Sequence, residues 1–250
     1  MAGAALKPDY YKKKMKTAFF LAPPASMKNC NVDALRLMSI KANRLLISNV
    51  LDSIKMWSVL PYNYATSGVA QAFCALFDGK LCDEIMSIFS DEDPAIDYTD
   101  RYDVYTSNSP AGAGFMDLLH YGQLMHHDTE TFRRYDMESK EANQKKYGQD
   151  EPPEYDLSLL EFPIAVFSGS KDVLADPKDV AWTVSQFPKS SVIFHHEYYL
   201  GHMSFGIAKD MSFFSVDLLS ILNHYNGKCD SRTLSSRFEE GNKKCLQQIE

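Results

Sequence analysis

Apolar residues follow two different patterns along this chain. Short unbroken runs stand at Lys16–Ala22, closed by Pro23-Pro24, and at Phe162–Phe167, closed by Ser168-Gly169-Ser170. A third, Ser191–Phe194, leads into His195-His196. Continuous runs of this length, in place of alternation, predict strands buried on both faces of a parallel sheet. Between the last two, Pro177–Phe187 predicts a helix with Pro177 in its first turn and Asp176 as N-cap. Strand, helix, strand, helix from Phe162 to Tyr225 is the order of an α/β unit.

Residues 30 to about 150 read differently, with helical periodicity, Pro and Gly breaks, and no clear buried strand. Leu35, Leu37, Met38, Ile40, Leu45, Leu46, Ile47, Leu51, Ile54 and Met56 fall on one or two amphipathic helices. Soft, Met-rich helices serve as core filler, or as a mobile cap over a site for long apolar ligands. Glu138–Glu154 is polar and holds Pro152-Pro153, which predicts a surface connector. The polar stretch after Tyr225 predicts a frayed or loosely docked tail. The expected division is 1–29 with 155–226 as a partial α/β core, 30–154 as a helical cap insertion, and 227–250 as the tail.

Composition narrows the classes. A chain of 250 residues, 45% hydrophobic, can bury a sizeable core. A net charge of −7 argues against general nucleic-acid binding. Lys12-Lys13-Lys14 with Lys16 reads as the solvated end of a helix. No stretch is apolar and long enough to cross a bilayer. Lys7, Pro8 and Asp9 interrupt the N-terminal apolar residues too early for a signal peptide. The five cysteines lack metal-ligand spacing. Cys74 and Cys82 are close enough to be bridged in an oxidising compartment, and five free thiols are the alternative.

The candidate chemistry sits at strand ends. Asp172 lies just beyond the second strand, and His202 lies in the loop after the third, leading into a helix. Parallel sheets collect catalytic groups at that carboxyl edge. Acid before base is also the order of the last two members of an α/β-hydrolase triad. There the acid holds the imidazole tautomer, and the imidazole takes the proton of a serine. Taken singly, an aspartate after a strand is commonly a turn or capping residue, and a loop histidine is commonly structural. Asp176 and Asp179 suit capping or dipole roles. His195 and His196 alternate along an extended segment without reaching its end. His120, His126 and His127 suit packing or solvent.

Phe162-Pro-Ile-Ala-Val-Phe-Ser-Gly-Ser-Lys-Asp172-Val-Leu-Ala-Asp-Pro-Lys-Asp-Val180 resembles the segment around the catalytic acid of the acid lipases, the family of gastric and lysosomal lipases. Their motif reads approximately Pro-Ile-Ala-Val-Trp-x-Gly-Gly-x-Asp-x-Leu-Ala-Asp-Pro-x-Asp-Val. Arg101–Gly112, followed by His120 and Gln123, resembles the family's cap segment Arg-x-Asp-Val-Tyr-x-Ser-x-x-Pro-Ala-Gly. Thr17–Pro23 resembles the strand and turn that follow the nucleophile elbow. Around the base, the family's Tyr-Asn-His-Leu-Asp-Phe becomes Leu200-Gly201-His202-Met203-Ser204-Phe205. The similarity covers about residues 1 to 225. Three departures are Ser170 for Gly, Gly201 for Asn and Ser204 for Asp.

The larger departure is the elbow, Gly-His-Ser-Gln-Gly. No Gly-x-Ser-x-Gly occurs in the sequence. Ser168-Gly169-Ser170, the nearest look-alike, lies two residues before the acid and cannot form a strand-turn-helix elbow. The resemblance implies the C-terminal portion of an α/β-hydrolase fold with a helical cap inserted. It implies hydrolysis of neutral lipid esters, triacylglycerols or steryl esters, at a lipid–water interface, with Asp172 as acid and His202 as base. It implies no metal or organic cofactor and a lysosomal or secreted family. It also implies a chain truncated before its nucleophile and inactive in isolation. A lipid-binding remnant without catalysis and an isolated interaction module are the alternatives.

Overall fold

The computed structural model describes residues 1–59, 68, 72, 91, 93–101, 104, 105, 111–125 and 128–249. In chain order the strands are β1 Ala18–Leu21, β2 Ser58–Val59, β3 Ala113–Gly114, β4 Ile164–Gly169 and β5 Val192–Tyr198. The helices are α1 Ala2–Leu6, α2 Pro8–Lys14, α3 Asp33–Ser39, α4 Lys41–Ser53, α5 Phe115–Leu124, α6 Lys140–Tyr147, α7 Pro177–Gln186, α8 Ser204–Ile207, α9 Leu219–Tyr225 and α10 Glu239–Ile249.

All six residues of β4 are buried, which is what its unbroken apolar run requires of a central strand. It pairs in parallel with β1, Ala18 opposite Ile164 and Leu21 opposite Phe167. It pairs in parallel with β5 on its other edge, giving the order β1-β4-β5. Successive side chains of β4 serve two cores. Ile164 and Val166 pack with Ala4 and Ala5 of α1 and with Leu160, Phe162, Val180 and Phe187. Ala165 and Phe167 face Phe194, Leu200, Phe213, Ile221 and Phe238. The Phe167 ring stacks on Tyr198 and meets Phe213 edge-on. The α/β class read from the sequence is therefore present, as a three-stranded parallel sheet with flanking helices.

Local signals in the sequence account for several boundaries. Pro177 occupies the first turn of α7, and the Asp176 carboxylate accepts from Lys178 N at 2.8 Å. Lys12, Lys13 and Lys14 form the last turn of α2, where lysines complement the helix dipole.

Other expectations are corrected. Only Leu35 and Leu51 of the apolar residues in the 35–56 stretch are buried; Leu37, Ile40, Leu45, Leu46, Ile54 and Met56 are exposed. Leu51 shares the inward face of α4 with Arg44, buried and paired with Glu138 at 2.8 Å. The polar connector contains α6, capped by Ser139, whose hydroxyl accepts from Ala142 N at 3.1 Å. A capped helix needs no apolar face to form there.

The described residues after 226 are docked, not frayed. Phe238 is buried in the second core, and Cys229 and Cys245 are joined by a disulfide. That bridge excludes five free thiols. The Cys74–Cys82 pairing lies outside the described residues. Cys30 is buried and unbridged, and burial pushes its thiol up to about 11.

Candidate active site

β4 and β5 end side by side, and the two loops beyond them stay in contact. A Cβ on Gly169, the last residue of β4, would lie 2.3 Å from the Leu200 carbonyl oxygen, so only glycine permits this approach. Ser170 N donates to Tyr198 O at 2.8 Å and Lys171 N to Leu200 O at 3.1 Å. These two bonds extend the strand ladder into the loops.

Asp172 follows, with its carboxylate buried. Oδ1 accepts from Leu174 N at 2.9 Å and Ala175 N at 2.7 Å. That local turn fixes the side chain and leaves Oδ2 facing His202, whose Nδ1 lies 3.0 Å away. A carboxylate accepts, so Nδ1 carries the hydrogen and Nε2 is the nitrogen turned away from Asp172. The imidazole remains partly exposed to solvent. An imidazole oriented in this way can receive a proton at Nε2 from a hydroxyl placed beside it, and a carboxylate on the other nitrogen stabilises the cation that results.

The loop that carries His202 is held by its own contacts. Ser204 Oγ, at the start of α8, accepts from Gly201 N at 3.0 Å. A residue absent from the sequence reading also enters: the Asp91 carboxylate accepts from His202 N at 2.7 Å and from Val173 N at 2.9 Å. Nothing in the local sequence around 91 marks it.

The remaining candidates are placed elsewhere. Asp179 is fully buried in the first turn of α7, where a carboxylate complements the helix dipole, and it also has long-range partners. It accepts from Ser26 Oγ at 3.0 Å, Asn29 N at 2.8 Å and Asn29 Nδ2 at 2.9 Å, pinning the loop after β1. That loop begins at Ala22, whose φ of 44° is strained for a residue with a Cβ. His120 Nε2 lies 2.8 Å from the Arg133 carbonyl, which can only accept, and Gln123 donates to Asp136 O and Glu138. His120 is a packing residue, as expected, and Gln123 is buried beside it. His195 sits 3.4 Å from Ser168 Oγ within β5, and neither it nor His196 reaches the strand's end. His126 and His127 lie outside the described residues. Among the described residues, no group of three His, Cys, Asp or Glu side chains could hold a metal ion.

Burial lowers the pKa of His120, His195 and His196 below the ordinary imidazole value. The unfolded chain therefore binds protons more readily at these sites. Their contribution to stability is complete above the unfolded value of 6.5 and is lost as pH falls through the lower folded values. The urea midpoint is expected to be lower at pH 5.5 than at pH 7.5. His120→Gln, which keeps a donor for the Arg133 carbonyl, should flatten that slope, and an unchanged slope would remove His120 as a cause.

A three-stranded parallel sheet with flanking helices, and a paired aspartate and histidine on the loops beyond adjacent strands, is consistent with a partial α/β-hydrolase fold. No family model matches the chain. Similarity to individual proteins is clear. Gastric triacylglycerol lipase of Rattus norvegicus is 33% identical over 187 residues, covering 74% of this chain and 45% of that protein. The Homo sapiens protein of the same name is 30% identical over 202 residues, covering 79% and 48%. Lipase member N of Homo sapiens is 39% identical over 106 residues, covering 42% and 26%. The chain belongs to the acid lipase family. It spans about half the length of the curated relatives it matches, in their C-terminal part.

Proposed function

We propose that this chain supplies the acid, Asp172, and the base, His202, of a serine-type lipid ester hydrolase, with residues 30–154 as its cap. The observation that carries the reading is the 3.0 Å contact between His202 Nδ1 and Asp172 Oδ2 at the carboxyl edge of a parallel sheet. The substrate class is neutral lipid esters, triacylglycerols or steryl esters, by way of the relatives' names and the family resemblance. A secreted or lysosomal setting goes with it, and the Cys229–Cys245 disulfide accords with an oxidising compartment.

The proton balance is simple. His202 Nε2 takes the serine proton as the oxygen bonds to the ester carbonyl, and returns it to the leaving alcohol as the acyl-enzyme forms. Water then repeats the cycle. The serine must come from a Gly-x-Ser-x-Gly segment, which the 250 residues lack. Joining the chain to such a segment from the Rattus norvegicus relative should yield hydrolysis of p-nitrophenyl esters. It should also yield serine labelling by a fluorophosphonate. A folded fusion without either property would count against the reading.

The missing motif favours one other reading, a lipid-binding protein without catalysis. Uptake of fatty acid by the unfused chain, with an inert fusion, would select it.

A further inference from the structure

We infer that Asp91 is a positioning residue for the acid–base pair, acting as a side-chain rung that continues the sheet ladder between the two loops. The inference rests on the reading of Asp172 and His202 as acid and base. Backbone bonds join the loops only as far as Lys171 and Leu200. Beyond that point the main chains of Asp172–Val173 and Gly201–His202 have no bond to each other among the described residues. The Asp91 carboxylate fills this gap. Oδ2 accepts from Val173 N at 2.9 Å, and His202 N donates to Oδ1 at 2.7 Å with Oδ2 at 2.9 Å. One rigid, planar group thus receives an N–H from the residue after the acid and an N–H from the base itself. Charge-assisted bonds of this kind fix geometry more firmly than neutral ones.

Two further observations belong with this contact. A Cβ on Gly201 would come within 2.8 Å of the Asp91 Cγ, Oδ1 and main-chain oxygen, so glycine at 201 clears the space that Asp91 occupies. Gly201 and Ser204 are the two departures from the family motif around the base. Ser204 turns its hydroxyl to Gly201 N, one residue before the N–H that Asp91 receives. Asp91 is also delivered by an independent anchor. The segment after it pairs with the chain after α8, through Tyr98 N to Ile207 O at 2.9 Å and Lys209 N to Ile96 O at 2.7 Å. Removing the carboxylate therefore cuts the rung without detaching the segment.

The test is a proton–nitrogen NMR comparison on the 250-residue chain. The low-field line of the hydrogen on His202 Nδ1 reports the contact with Asp172, and amide exchange at Val173 and His202 reports the rung. Asp91→Ala should speed exchange at both amides and at the ring hydrogen by about 10- to 100-fold, the range carried by one charge-assisted bond. Asp91→Asn, which keeps an acceptor oxygen, should restore much of the protection. A general packing role would instead lower the melting temperature with the ring line intact. Should Asp91→Ala not fold, Asp91→Ser replaces it, since a serine hydroxyl is too short to meet both loops. If the line vanishes in Asp172→Asn but keeps its parent exchange rate in Asp91→Ala, the rung is refuted and the pair stands. If the line is missing in the parent or survives Asp172→Asn, the pair fails and the rung falls with it.

Discussion

Asp172→Asn, introduced into the ester-hydrolysing fusion, is expected to lower kcat by roughly 10⁴-fold with KM little changed. Asparagine has the same shape, so its oxygen can still accept from Leu174 N and Ala175 N. The amide nitrogen then faces His202 Nδ1. A donor in that place forces Nδ1 to accept, so the hydrogen moves to Nε2, the nitrogen that must receive the serine proton. The base is blocked without any change in fold. Burst kinetics and fluorophosphonate labelling would both read this loss. A variant within a few-fold of the parent would show that Asp172 only shapes its loop.

The second large effect is on stability. Asp217 is fully buried, and its carboxylate accepts from Tyr198 Oη at 2.5 Å, Arg237 at 3.1 Å and Ser235 Oγ. Tyr198 belongs to β5, while Ser235 and Arg237 follow the Cys229 end of the disulfide. The carboxylate is thus the joint between the sheet and the C-terminal segment. Burial first, then the bond to Asp217, pushes the Tyr198 phenol well above its ordinary range. Asp217→Ala leaves the buried Ser235 hydroxyl and the half-buried phenol without this acceptor, at a cost of about 3 kcal/mol. The urea midpoint reports the loss, and the Tyr198 phenol should titrate at lower pH in the variant. Parent-like stability would mean that the disulfide and Phe238 hold the segment unaided.

Legibility in the sequence followed the range of the interactions. β4, the turn at Gly169-Ser170 and the Asp176-Pro177 helix start are written in consecutive residues, so pattern and capping rules recover them. The placement of Asp172 and His202 at one sheet edge follows from strand order alone. Asp91 was invisible because its contact with His202 spans 111 residues. For Asp179 the first-turn position was legible, but its bonds to Ser26 and Asn29 were not, because those partners arrive from about 150 residues away. α4 misled differently. Its apolar positions have helical spacing, but a buried Arg44–Glu138 pair shares the inner face with Leu51, which periodicity cannot announce. The Cys229–Cys245 pairing is a matter of connectivity, which spacing does not determine.

The pairing of β1 with β4 has a consequence for biosynthesis. Phe19, Phe20 and Leu21 meet Ala165, Val166 and Phe167, partners made roughly 150 residues later. At about 5–20 residues per second, a ribosome needs on the order of ten seconds to supply them. For that interval an aromatic strand waits without its central neighbour, and the Asp179 latch on the following loop is also unmade. Nascent chains of this protein should therefore be clients of hydrophobic-segment chaperones until β4 emerges. Their yield in the cell should respond to elongation speed between these two strands more than to changes in the finished fold.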